Sequence, residues 1–196
     1  MEPLAIDGTY LFTPKIHGDD RGQFLEWFRA DALAPKLGHR LGLAQANCSI
    51  SSRGVLRGVH WADVPVGQAK YVTCVRGAIL DVAVDLRVGS PTFGRCEAVR
   101  LDEERRQGFY LAEGIGHAFM ALTDHATVIY LASEPYNPTH ENTLHPLDPA
   151  LAIPWPDDIE PQLSPRDAEA PTLAEAEAAG RLPDYETCLK YYAELS

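Results

Sequence analysis

The chain reads as a mainly β protein, an antiparallel sandwich or barrel, on three observations. Between residues 42 and 133 it runs through short β-branched and apolar segments broken by Gly, Ser, Pro and Asp. Few helical stretches separate these segments, which argues against alternating βαβ units. Residues 79–86 alternate with period two, so that Leu80, Val82, Val84 and Leu86 share one face while Asp81 and Asp85 share the other with Ile79 and Ala83.

In chain order, the first clear element is a helix over about 29–37, which Pro35 shortens. Strands follow in LAQANCSIS, GVLRGVHW, AKYVTCV, AILDVAVDLR, CEAVRL, GFYL, HAFMAL and ATVIYLAS. Two carboxylates on one face of the AILDVAVDLR strand are costly to bury, so that face is expected to meet solvent or a polar cavity. After the Trp155-Pro156 pair the composition changes to Ala, Glu and Pro. Thr172 followed by Glu175 makes a capping box, Gly180 is a C-terminal stop, and a second helical piece spans about 184–195. The organisation expected is a β-barrel over 1–156 with an acidic helical segment over 157–196, packed on the barrel as part of the same domain.

Composition narrows the function. At 196 residues, with 45% hydrophobic and 23% charged residues, the chain is an ordinary globular domain rather than a disordered one. No apolar run approaches the roughly 20 residues of a spanning helix, and the N-terminus lacks the layout of a signal peptide, so a cytoplasmic protein without membrane contact is expected. The formal charge of −11 disfavours nucleic acid as a partner. Most of that acidity lies in residues 157–196, where ten acids stand against three bases. The four cysteines, Cys48, Cys74, Cys96 and Cys188, form no CxxC pair and are expected to be buried free thiols.

There is no P-loop, no GxGxxG after a strand, no GxSxG and no HExxH. There is also no HxH pair, so no metal site is expected; His140, Glu141 and His145 are read as a solvated surface cluster rather than a chelate. The densest polar stretch is GVLRGVHWADVPVGQAK, with Arg57, His60 and Lys70. Residues three apart on a strand face opposite sides. Arg57 and His60 therefore serve one pocket only if Gly58 is a bulge; otherwise Arg57 snorkels at an edge and His60 is a satisfied core histidine. Periodicity alone favours the second arrangement.

Beyond these readings, the segments GDDRGQFLEWF, AQANCSIS, GVLRGVHW, AEGIGHAFMAL, TVIYLASEPYNP and LSPRDAEAP, in that order, resemble the family of nucleotide-sugar epimerases typified by dTDP-4-dehydrorhamnose 3,5-epimerase. That resemblance implies a cupin-type jelly-roll β-barrel with short C-terminal helices. It implies cofactor-independent chemistry on a dTDP-4-keto-6-deoxyhexose, in which removal of a proton at C3 or C5 gives an enolate that is reprotonated on the other face. By resemblance, His60 is the base and Asp167 its partner, Tyr130 is the donor on the opposite face, and Lys70 stabilises the C4 oxygen, with Asp81 supporting Lys70 or His60. Arg21 and Arg57, helped by His117, would hold the pyrophosphate. Glu26, Gln45 and Asn47 would address the base, and Phe24 and Tyr136 would supply apolar or stacking surface. Core packing is an equal reading for Phe24, and a satisfied core histidine competes for His117. The early strand region of such proteins crosses to a second subunit, so a homodimer is expected, with Arg21 and Glu26 serving the neighbouring site.

Ala62, Ala112 and Ile115 depart from the family pattern and are similar to relatives in antibiotic deoxysugar pathways, some of which invert one centre only. A 3- or 5-monoepimerase is therefore the first alternative. A non-catalytic sugar-binding module or a metal-dependent cupin is the second.

Overall fold

A computed structural model of the chain describes residues 1–195. It opens with β1 (Glu2–Pro3), β2 (Thr9–Phe12), a hairpin of β3 (Ile16–Asp19) and β4 (Gly22–Leu25), and helix α1 (Ala30–Leu37). The helix contains Pro35 and stops at Gly38, whose left-handed backbone lets its N–H bond back to Ala34 O. The body follows as β5 (Gln45–Ser51), β6 (Leu56–Ala62), β7 (Lys70–Arg76), β8 (Ala78–Asp85), β9 (Cys96–Asp102), β10 (Gly108–Leu111), β11 (Ile115–Ala121), β12 (Ala126–Ala132) and β13 (Glu141–Thr143). Three short α-helices, α2 (Pro165–Ala168), α3 (Leu173–Ala178) and α4 (Tyr185–Glu194), close the chain after a 3₁₀ turn at Pro149–Leu151.

Two antiparallel sheets form the barrel. One has the order β1-β2-β10-β7-β12-β5 and the other β13-β6-β11-β8-β9, while β3 and β4 pair only with each other. Apart from the consecutive pairs β1–β2 and β8–β9, neighbours in each sheet are distant in sequence, as expected of a jelly roll rather than a meander.

The strand β8 shows why the sequence folds this way. Ile79 and Ala83 enter the main core together with Tyr71, Phe109, Leu101 and Val128. Leu80, Val82, Val84 and Leu86 join a second cluster with Val59, Trp61, Leu151, Leu173 and Ala176. Both faces of β8 are thus covered, one by the opposite sheet and the other by the C-terminal segment. The expected choice between solvent and a polar cavity for the aspartate face holds only in part, because both carboxylates are fully buried. Asp81 bonds His117, which lines the cavity described below. Asp85 instead lies in a closed structural cluster, accepting from Arg87 Nε at 2.8 Å, Ser90 Oγ at 2.5 Å and Thr92 Oγ1 at 2.6 Å. Burial raises its pKa, but these donors outweigh burial and hold it below the usual carboxylate range.

The helical segment is tied down by local signals read directly from its sequence. Thr172 and Glu175 make the reciprocal capping box, and Gly180, at φ +64°, ends α3 with its own N–H on Glu177 O and that of Arg181 on Ala176 O. Single parallel bridges, Val55 to Gln162 and Val88 to Asp184, join the segment to the barrel.

The cysteine expectation needs correction. All four thiols are free, and Cys74 and Cys188 are buried, but Cys96 is half-buried and Cys48 is exposed. Cys48 alternates with Asn47 and Ser49 on β5, an edge strand whose other face is turned inward, so the apolar look of its stretch does not translate into burial.

Candidate active site

The site begins with an irregularity in β6. Opposite it, His117 pairs with His60 and Phe119 with Arg57, so two steps of β11 span three steps of β6. The extra residue is absorbed at Gly58 and Val59, which is the bulge that Arg57 and His60 need to face one side. Gly58 has φ +120°, and a Cβ there would lie 2.5 Å from His117 O, so only glycine fits. Arg57 and His60 consequently line one cavity of about 660 Å³ between the sheets, a volume suited to a small organic ligand.

On one wall, His60 Nε2 lies 2.7 Å from Asp167 Oδ1. Asp167 sits in α2, where the Ser164 side chain caps the helix by accepting the Asp167 N–H at 3.1 Å. Burial raises the Asp167 pKa, but His60, Ser164 and the Gly58 N–H together pull it below the ordinary value. An ionised carboxylate only accepts, so Nε2 donates to it and Nδ1 of the neutral ring keeps its lone pair. That arrangement fixes the tautomer of a half-buried imidazole.

Beside it, His117 Nε2 makes a second bond of 2.7 Å to Asp81 Oδ1. Asp81 is fully buried and its Oδ2 has no hydrogen-bond partner among the described residues. Burial pushes its carboxyl up, against the opposing pull of His117 and Lys70. Lys70 is buried from the other sheet. Its pKa is lowered by desolvation, against the charges of Glu141 and Asp81. Tyr130, also from that sheet, has its phenol pushed up by burial and by Glu141, opposed by Arg57.

The remaining sequence candidates separate into two groups. Gln45, Asn47 and Tyr136 line the cavity with Arg57 and His117. Gln45 Nε2 donates to Asn47 Oδ1 at 2.8 Å, its Oε1 accepts the Tyr136 N–H at 2.8 Å, and Arg57 Nε donates to Ser51 Oγ at 3.3 Å. The competing picture of His117 as a satisfied core histidine is half right, since it is both paired and cavity-lining. Arg21, Phe24 and Glu26 do not reach the cavity within this chain. They lie on or just after the β3–β4 hairpin, which joins neither large sheet; Arg21 pairs with Asp19, and Glu26 with Arg29 at 3.5 Å. Phe24 is 68% exposed, which removes the core-packing reading.

Residues not singled out beforehand also line the cavity, among them Ser49, Gln68, Phe119, Gln162, Arg166 and Glu141. Glu141 corrects the surface-cluster reading of His140, Glu141 and His145. Its strand is only three residues long and pairs with β6 so that Glu141 lies opposite Ala62, too short a run to show any periodicity. His140 stands 3.6 Å from Asp63, and His145 Nδ1 accepts the Leu147 N–H at 3.2 Å. Among the described residues, no group of three or more His, Cys, Asp and Glu side chains is placed to hold a metal ion.

Comparison with known proteins then gives consistent matches. The family described as dTDP-4-dehydrorhamnose 3,5-epimerase matches residues 3–175. A dTDP-4-dehydrorhamnose 3-epimerase of Streptomyces niveus is 57% identical over 188 residues, covering 96% of this chain and 90% of that protein. A dTDP-4-dehydrorhamnose 3,5-epimerase of Streptomyces griseus is 53% identical over 195 residues, covering 100% and 97%. Among solved structures, a 3'-monoepimerase from Streptomyces bikiniensis in complex with dTDP-quinovose superposes with a TM-score of 0.97 at 52% identity, covering 100% of this chain and 98% of that one.

Proposed function

The chain belongs to the dTDP-4-dehydrorhamnose 3,5-epimerase family, and from that premise we propose how its own residues carry the reaction. It is an isomerase that inverts C3, C5 or both in a dTDP-4-keto-6-deoxyhexose. The observation that carries the assignment of roles is that His60, bonded to Asp167, and Tyr130 come from opposite sheets and line one cavity.

The protons at C3 and C5 flank a C4 ketone. Nδ1 of His60 takes one of them, the C–H electron pair moves into the ring to form the enolate, and the negative charge collects on the C4 oxygen. Asp167 stabilises the imidazolium that results. Lys70 supplies the positive charge for the C4 oxygen, and its low-dielectric surroundings make that interaction strong. Tyr130 then delivers its proton to the same carbon from the other face, inverting it. A phenol pushed above its ordinary value near ~10 is fully protonated at neutral pH, as a donor must be. The pair Asp81–His117 braces Lys70 from behind.

Arg57 and His117 are assigned to the pyrophosphate, and Gln45, Asn47 and Tyr136 to the nucleoside. Arg21, Phe24 and Glu26 are assigned to the site of a second copy in a homodimer. The exposure of Phe24 on a hairpin outside both sheets supports this reading. Residues 157–196 are taken as part of the barrel domain, supported by Asp167 at the cavity and by Leu173 and Ala176 in the second core cluster. A cytoplasmic location is proposed as well; no described helix is long and apolar enough to cross a membrane.

Both a 3-epimerase and a 3,5-epimerase stand above 50% identity, so overall likeness does not choose the carbon. Proton NMR of dTDP-4-keto-6-deoxyglucose with the protein in deuterated water makes the choice. Deuterium at C3 alone, C5 alone or both identifies the inverted centre, and no uptake at either overturns the reading.

A further inference from the structure

The loop between β12 and β13 carries Tyr136, and it is tied to the barrel by few bonds. Ala69 and Ser133 first prolong the β7–β12 pairing by one rung: the Ser133 N–H donates to Ala69 O at 3.0 Å, and the Ala69 N–H to Ser133 Oγ at 2.8 Å. At the next rung the connection passes from backbone to side chain, where Gln68 Nε2 donates to Glu134 O at 2.8 Å. A carbonyl oxygen only accepts, so the orientation of the Gln68 amide is fixed. Gln68 and Tyr136 both line the main cavity and a smaller adjoining one of about 340 Å³. We propose that Gln68 is a positioning residue for the nucleotide, acting through the backbone of the loop that bears Tyr136.

The donor is well rooted. Gly67, just before Gln68, is buried at φ +72°, its N–H donates to Asp63 O at 2.7 Å, and a Cβ there would lie 2.5 Å from Glu113 Cβ. Ala69, just after it, is fully buried and bonded to Ser133 as above. Gln68 therefore projects from a backbone fixed on both sides. The loop it reaches is less constrained. Pro135 and Pro138 have no N–H to give, and Asn137 turns the later half on itself, its carbonyl accepting the His140 and Glu141 N–H groups at 3.1 Å. The earlier half has a second tie, Gln45 Oε1, which accepts the Tyr136 N–H at 2.8 Å. Gln45 is itself assigned to the nucleoside, so a ligand that engages it competes with that tie. Gln68 keeps the half-exposed Tyr136 ring at the cavity when it does. That the occupant is a nucleotide rests on the epimerase reading above; the hold of Gln68 on the loop does not.

The test is therefore made in two arms. In the first, amide hydrogen exchange of the free protein is followed by mass spectrometry. Peptides spanning 134–140 are expected to exchange about fivefold faster in Gln68→Ala, the worth of one hydrogen bond, and also in Gln68→Glu, whose carboxylate is close in size but cannot donate. In the second, dTDP binding is measured by calorimetry in wild type, Gln68→Ala, Tyr136→Ala and the double variant. Gln68→Ala is expected to weaken dTDP about fivefold in the wild-type background and less than twofold beside Tyr136→Ala, because residues that act through one another are not additive. Unchanged loop exchange in both Gln68 variants overturns the proposal. So does an equal loss of affinity in both backgrounds, which would make Gln68 a direct ligand contact. A wild-type protein that does not bind dTDP overturns the nucleotide reading instead, and leaves loop exchange as the deciding measurement for Gln68.

Discussion

Two histidine–carboxylate pairs stand side by side at this cavity, their histidines cross-strand neighbours that line it and each with a 2.7 Å bond, yet their surroundings differ. The His60 side chain is 27% exposed, and its partner Asp167 is held below the ordinary carboxylate value by several donors. The His117 side chain is 8% exposed, and its partner Asp81 is pushed upward by complete burial, with one oxygen unbonded. Bond length therefore says little about role. In the proposed mechanism the ionised, well-satisfied partner orients an accessible imidazole as the base, and the enclosed pair braces the buried lysine.

The largest test of that contrast is a pair of substitutions. His60→Asn is expected to lower deuterium exchange by about 10²–10⁴-fold, the usual worth of a general base, while His117→Asn costs about tenfold through weaker substrate binding and a looser Lys70. If His117→Asn removes exchange and His60→Asn leaves it, the roles are reversed.

A smaller effect separates the carboxylates by pH. A depressed pKa for Asp167 means that its ionised form stabilises the fold above its unfolded pKa of about 3.9 and that this contribution is lost as pH falls through the still lower folded value. Asp167→Asn is therefore less stable than wild type at pH 7, and the difference narrows as pH falls below about 4. Denaturant unfolding followed across that range checks it; a gap that stays constant or widens as the pH is lowered would contradict the assignment.

The smallest effect comes from the cap that holds Asp167. Ser164→Ala is expected to cost about 1 kcal/mol of stability, the typical worth of an N-cap. It should lower kcat a few-fold while leaving KM for the nucleotide sugar unchanged. A KM effect without a kcat effect would place Ser164 in binding rather than in orienting the base pair.

Much of this was legible beforehand because it is encoded locally. The strands from β5 to β12 follow short apolar runs, α3 begins at the Thr172–Glu175 box, and the bulge at Gly58 is the only way for Arg57 and His60 to share a face. The residues that misled did so for a nonlocal reason. Cys48 lies in an apolar stretch but on the outer face of an edge strand, and Glu141 lies in a polar stretch but turns into the cavity. Neither outcome depends on the neighbours in sequence; each depends on which strand the segment pairs with.

The sequence by itself determined the β architecture, the helical ending and, through family resemblance, the candidates proposed as base, partner and donor. Periodicity, capping and glycine backbone freedom act over a few residues, and motifs act over a few more. Only the tertiary structure decided that Asp81 bonds His117 behind the cavity while Asp85, four residues along the same face, closes a structural cluster with Arg87. The physical reason is that burial, and hence the cost or use of a charge, is set by what the opposite sheet and the returning C-terminal segment bring against that face.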